Sequence, residues 1–170
     1  PARERPESIG IIGAGPGGLA AAEMLRRQGY QVHVYDRYDR VGGLLIYGIP
    51  NFKLDKKIIQ RRAQLLIDGG VKFHLNFEVG RDASLSELRA RHEAILIATG
   101  AYKSRDIKVP GVGLKNIHMA MDYLTASNRK GLGDTVPRFE DGGLNAEGKN
   151  IVVIGGGISG MYVTYRLREL

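Results

Sequence analysis

The sequence predicts an α/β fold, a parallel sheet in the order 3-2-1-4-5 with a small β crossover near residues 71–80. Three observations carry this. Short apolar, β-branched runs recur, "SIGII" from Ser8, "AILIATG" from Ala94 and "IVVIGG" from Ile151. Segments of helical period stand between or behind such runs. Glycine, 24 of 170 residues, is concentrated in a few clusters where strands would turn into helices.

Taken in order, residues 1–8 are a polar lead-in and "SIGII" is a buried strand. "GAGPGG" turns it into "LAAAEMLRRQG", where Leu19, Ala22 and Leu25 share a helical face and Gly29 is the stop. "YQVHVYD" alternates and is the second strand, and residues 37–54, rich in Gly and turn residues, read as a long functional loop. Residues 55–68 predict a helix capped by Asp55, with Ile58, Ile59, Leu65 and Leu66 as its apolar side and Gly69 and Gly70 at its end. "VKFHLNFEVG" predicts two short strands turning near Asn76. Ser84-x-x-Glu87 is a capping-box signature for a short helix. "AILIATG" is a further buried parallel strand. Residues 101–148 are less regular, with a short helix near "MAMDYLTAS", and a last strand, glycine turn and helix fill 151–170.

A chain of 170 residues has room for one complete nucleotide-binding domain of about 120–150 residues, not two. The absence of Cys excludes disulfides, thiolate zinc sites and iron–sulfur ligation within the chain, and fits a cytoplasmic location. No run approaches the ~20 apolar residues of a membrane span. The net charge of +7 is spread over the chain, without a basic run or aromatic platform, so nucleic acid is not the expected partner. The four histidines lack ligand spacing and no metal site is expected. Gly157-Ile158-Ser159-Gly160-Met161 is not a nucleophile elbow, because the last position is Met. No Tyr-x-x-x-Lys pair stands at a strand end, and no catalytic side chain is named.

Gly13-Ala14-Gly15-Pro16-Gly17-Gly18 fits G-x-G-x-x-G in its proper setting, after a strand, before a helix, with Asp36 closing the next strand. This is a Rossmann-like dinucleotide site. Gly13 permits the tight turn, Gly15 lets backbone approach a pyrophosphate, and Gly18 lets helix and strand pack closely. Asp36 accepts from ribose hydroxyls and repels a 2′-phosphate, which disfavours NADP here. These residues leave FAD and NAD both open.

"VGG" at 41–43 and "AILIATG" tilt the choice. With them the chain resembles the FAD-binding domain of glutathione-reductase-like flavoproteins. "YDRYDRVGGLLIYGIPNFKLDKKIIQRR", "NFEVGRD", "ATGAYKSRDIKVPG" and "DYLTASNRKGLGD" make it similar, from about residue 8 to about 154, to the small (beta) subunits of bacterial NADPH-dependent glutamate synthases and related modules. The resemblance implies FAD as cofactor, NADPH as hydride donor, iron–sulfur clusters as acceptors and a large glutamate synthase subunit as partner. It also implies roles for residues. Gly13, Gly15, Pro16, Gly17 and Gly18 would cradle the FAD pyrophosphate. Asp36, with Arg37 beside it, would hold the adenosine ribose. Gly42, Gly43 and Leu44 would line the flavin's path, and Ile49 and Pro50 would approach its ring. Val79 would offer backbone to adenine, although an ordinary core valine is an equal reading. Thr99 and Gly100 would lie where the chain passes the flavin.

The resemblance weakens at the end. "GGGISGMYVTYRLREL" departs from the family's second glycine turn, and the family's cluster-binding cysteines, most of its NADPH domain and its late FAD segment have no counterpart. The expectation is therefore a truncated or chimeric chain, one FAD-binding domain over 1–170, incomplete for catalysis. Its segment 151–170 is expected to close the sheet as the fifth strand, with Gly157 near the cofactor. A nucleotide-binding scaffold without turnover and a compact NAD-binding protein remain as alternatives.

Overall fold

The computed structural model describes residues 3–103 and 107–168. Ser104–Asp106, inside one of the quoted stretches, and the last two residues of the terminal helix motif lie outside the described residues. The chain divides into two compact units. One is built from residues up to Ile46 together with Asp55–Gly100, the other from Tyr47–Leu54 together with residues from Ala101 on.

The first unit holds the sheet. Its strands are β1 (Ser8–Ile12), β2 (Gln31–Tyr35), β3 (Lys72–His74) and β4 (Ala94–Ile97), all parallel, in the order β3-β2-β1-β4. The register sets Ile11 beside Val34 and Leu96. Helix α1 (Pro16–Arg27) returns the chain from β1 to β2, and Gly29 at φ +95° makes the reversal that only glycine makes without strain. A short helix α2 (Leu44–Tyr47) interrupts the predicted loop; its last residue is assigned to the second unit. Helix α3 (Lys56–Asp68) starts where Asp55 accepts from the Lys57 N–H, which satisfies one of the orphan donors of a helix start. It ends against Arg26, whose Nε donates to Gly69 O at 2.6 Å. Helix α4 (Leu85–Arg91) carries the complete capping box, Ser84 and Glu87 bonding reciprocally.

Alternation along the strands divides the core. Ile11, Val32, Val34, Leu66 and Val71 pack with Leu19 and Ala22 of α1 on one face. Tyr35, Leu88 and Ala83 pack with Ile12, Phe77 and Ile95 in a separate cluster. On α3 only half the expected apolar side is used: Ile59 and Leu66 are buried, while Ile58 and Leu65 are exposed.

Two strand expectations need correction. Residues 75–80 add no second strand, because Asn76 turns the chain at φ +54° and only an isolated bridge, Val79 to Ala83, follows. The fifth strand is not formed either: residues 151–156 join no sheet among the described residues. Their apolar side chains stay largely in solvent, Val152 at 86% and Ile154 at 76% exposure.

The second unit is helical, with α5 (Ala120–Gly131), α6 (Pro137–Glu140) and α7 (Ile158–Arg168). Tyr123 and Leu124 of α5 bury against Val163 of α7. Arg166 donates to Ser127 Oγ at 3.1 Å. Asn128 ties α5 to the Tyr47 carbonyl at 3.0 Å, and the Arg129 guanidinium lies over the Tyr47 ring.

Candidate dinucleotide site

The first unit gathers most of the predicted site residues at the C-terminal ends of β1, β2 and β4, where open parallel sheets place ligands. Gly13 leaves β1 at φ +113°, and its N–H donates to Tyr35 O at 2.8 Å. A Cβ there would collide with the Ala98 carbonyl and lie 3.2 Å from Thr99 Cα. The tail of β4 thus presses directly on the turn. A Cβ at Gly18 would collide with the Gly13 carbonyl. Both glycines are demanded by the protein's own packing.

Gly15 and Gly17 are different. A Cβ built on either meets nothing within 4 Å, and Gly15 has ordinary extended backbone, φ −78° and ψ −176°. Nothing among the described residues requires glycine there. The open space lies in front of the N-terminus of α1, which has no side-chain cap and begins with Pro16, a residue that has no N–H to lose. Backbone N–H groups and the positive end of the helix dipole face that space, a setting suited to a phosphate.

Asp36 is buried beside the turn. Its Oδ2 accepts from Ala14 N at 2.6 Å and its Oδ1 from Tyr38 N at 2.9 Å. These bonds fix the carboxylate and leave lone pairs for a further donor. Arg37 bends over the neighbouring Tyr38 ring, 5.0 Å from its centroid. Gly42 donates to Ala14 O at 2.9 Å, and at φ +125° a Cβ there would sit 2.7 Å from Ile59. The pair Gly42–Gly43 is therefore fastened to the first turn, and it leads straight into Leu44 of α2. Gly100, at φ +70°, ends the β4 tail beside Thr99.

Two predicted residues stand elsewhere in the chain's organisation. Val79 bridges to Ala83 and packs against the Tyr35 cluster, so its side chain has a core role whatever its backbone does. Gly157 lies at the start of α7 and, like Ile49 and Pro50, belongs to the second unit.

Lys56 escaped sequence reasoning. It reads as one of two lysines on a solvated helix start, yet it is 6% exposed and its Nζ donates to Leu45 O at 3.0 Å. Burial pulls its pKa down to about 8. No local sequence signal separates it from exposed Lys57; only the packing of α2 over the start of α3 does.

Among the described residues no helix is long and apolar enough to cross a membrane, and no group of His, Asp or Glu is placed to hold a metal.

The pyridine nucleotide-disulphide oxidoreductase family matches residues 7–170. The glutamate synthase [NADPH] small chain of Azospirillum brasilense is 65% identical over 161 residues, 95% of this chain and 33% of that protein. That of Bacillus subtilis is 43% identical over 94% of this chain and 32% of its own length. The chain thus spans about a third of these relatives. Among solved structures, Mycobacterium tuberculosis FprA in complex with NADPH superposes with TM-score 0.78 at 27% identity, over 94% of this chain and 36% of FprA. The matched family is one of FAD-binding flavoproteins. With the family's pattern matched over residues 7–170, this chain belongs to the pyridine nucleotide-disulphide oxidoreductase family.

Proposed function

We propose that the chain is the FAD-binding portion of an NADPH-dependent oxidoreductase of the glutamate synthase small-chain type. The observation that carries this reading is the open space at Gly15 and Gly17, directly in front of the α1 N-terminus and beside a fixed acid. Glycines that no protein contact demands leave room for a molecule that must come within touching distance of backbone.

In this reading the N–H groups at the start of α1 hold the pyrophosphate and Asp36 accepts from the adenosine ribose. The Asp36 carboxylate also excludes a 2′-phosphate from this site by charge. Gly42, Gly43 and Leu44, held by the Gly42–Ala14 bond, border the flavin's path, with Thr99 and Gly100 opposite. FAD, when bound, takes two electrons as hydride and releases them one at a time. The donor is NADPH, the acceptors are iron–sulfur clusters, and electrons pass from these to a large partner subunit that reductively aminates 2-oxoglutarate. The location is cytoplasmic. The chain's own residues bind, orient and shield; no side chain here moves a proton in the reaction.

An absorbance spectrum of the purified chain, followed by heat release and identification of the extract, tests this. A flavin spectrum and extracted FAD are expected. A colourless protein that takes up no added FAD would overturn the reading. Anaerobic NADPH then separates an oxidoreductase from a flavin-binding scaffold, whose spectrum would not bleach.

A further inference from the structure

Three of the four histidines, far apart in sequence, meet on one face of the sheet in the first unit. His33 Nδ1 lies 3.0 Å from His74 Nε2, and their rings stack at 5.3 Å. The His92 ring, at the C-terminal cap of α4, lies 5.0 Å from that of His33. Its two nitrogens are bonded to Ser8 Oγ at 2.6 Å and Tyr35 OH at 2.9 Å. Gly10 clears the space for it, since a Cβ there would come 2.8 Å from the His92 ring. The opposite face of the same strands is aliphatic, so the imidazole layer is a local construction and not the general character of this sheet.

The layer is built for neutral rings. The His33–His74 bond needs a donor on one ring and an acceptor on the other, so the pair shares one proton and breaks when both are charged. Lys72 on β3 and Arg91 on α4 add positive charge around it, Tyr35 on β2 is bonded to it, and Glu93 beside His92 is the acid that opposes them. Burial first, then repulsion from the His92 and His74 rings and from Lys72, brings His33 down to about 4, and burial is also the main cause that lowers His74 and His92. Groups lowered in the folded state contribute stability that is present above the ordinary imidazole value. That stability is lost as pH falls toward the folded value.

What the layer holds is the strand end that carries the ribose acid. Asp36 N donates to His74 O at 2.9 Å, Phe77 N to Asp36 O at 2.9 Å, and Asn76 N to Tyr38 O at 2.9 Å. The backbone on both sides of the Asp36 carboxylate is therefore bonded to β3 and the residues just after it, and His74 is one of the three residues by which β3 pairs with β2. We propose that the three-imidazole layer is an acid-sensitive latch: on taking up protons it parts β3 from β2, frees the Asp36 loop and releases the dinucleotide. The last step rests on the FAD reading above; the first two do not.

The test is amide hydrogen exchange at Asp36, Asn76 and Phe77 between about pH 7.5 and about pH 5, with Ile11 and Val34 as references. For each proton taken up on opening, protection at the three amides should fall about tenfold per pH unit relative to the references. The variant His33→Asn with His74→Gln keeps hydrogen-bonding groups near Nδ1 and Nε2 but cannot titrate, and should hold its protection across the range. Equal loss in wild type and variant, or none in wild type, overturns the latch. Should the double variant not fold, the wild-type imidazole resonances decide. His33 and His74 must gain their protons together with the loss at Asp36, and protonation without that loss overturns the proposal. Released FAD, read by its fluorescence, should appear over the same pH range. A chain that takes no FAD at about pH 7.5 sinks the cofactor reading, while the exchange data still judge the latch.

Discussion

The chain contains two glycine turns that are nearly the same object locally and quite different in their surroundings. Gly13 and Gly155 have φ of +113° and +112°. A Cβ at Gly18 would strike the Gly13 carbonyl, and one at Gly160 would strike the Gly155 carbonyl. Leu19 donates to Gly15 O and Met161 to Gly157 O, both at 2.9 Å. Beyond the turn the likeness stops. Gly13 is fed by a strand paired on both sides and is pressed by Ala98, with Asp36 bonded to the next residue. Gly155 follows residues in no strand, and nothing stands within 4 Å of its built Cβ. The glycine spacing writes the turn and the helix start. A dinucleotide site needs more: neighbouring strands and an acid that arrive from far along the chain.

The largest effect should come from filling the buried glycine of each turn. Gly18→Ala forces Gly13 to move while Ala98 and β2 hold it, and is expected to cost about 3 kcal/mol. Gly160→Ala meets the same carbonyl, but nothing stands within 4 Å of a Cβ built on Gly155, so that turn is expected to yield more easily, at about 1 kcal/mol. Residue-resolved hydrogen exchange reads the two units separately. Equal costs would show that the surroundings of the first turn do not brace it.

Next is the acid. Asp36→Ala removes the acceptor for the Ala14 and Tyr38 N–H groups, which should cost about 2 kcal/mol in unfolding free energy. It should also weaken FAD by roughly ten- to a hundredfold, by titration of the apoprotein. Unchanged FAD affinity would remove Asp36 from the site. Lys56 extends the same nonlocal support to α2. Its folded pKa is depressed, to about 8, so the unfolded chain binds the extra proton. Stability should therefore rise with pH between about 8 and 10, by at most about 1.4 kcal/mol per unit. Lys56→Met should abolish that rise in alkaline urea unfolding; a rise that persists in the variant belongs to another group.

The same contrast shows what could be read in the sequence. The first turn, α1, the Asp55 cap and the Ser84–Glu87 capping box are local patterns, and they stand where the spacing put them. Asp36 was legible because its distance from the glycines is itself a pattern. The fifth strand was misread because "IVVIGG" has a strand's composition, while pairing depends on a neighbour that composition cannot supply. Lys56 and the histidine layer were illegible for the same reason. The burial of Lys56 beside α2 and the meeting of His33, His74 and His92 across the sheet are properties of tertiary packing, not of any window of residues.

The smallest effect on folding is also the sharpest test of the comparison. Gly15→Ala and Gly157→Ala place a methyl group where nothing stands within 4 Å, and Gly15 has backbone angles that alanine adopts freely. Both variants should unfold within about 0.5 kcal/mol of wild type. If Gly15 is glycine only for the sake of a pyrophosphate, Gly15→Ala must lose FAD affinity at unchanged stability, while Gly157→Ala keeps both. Loss in both variants would mean that the second turn also touches the cofactor, as the sequence suggested for Gly157. Loss in neither would leave the open glycines of the first turn without a ligand to explain them, and the site would have to be sought away from the start of α1.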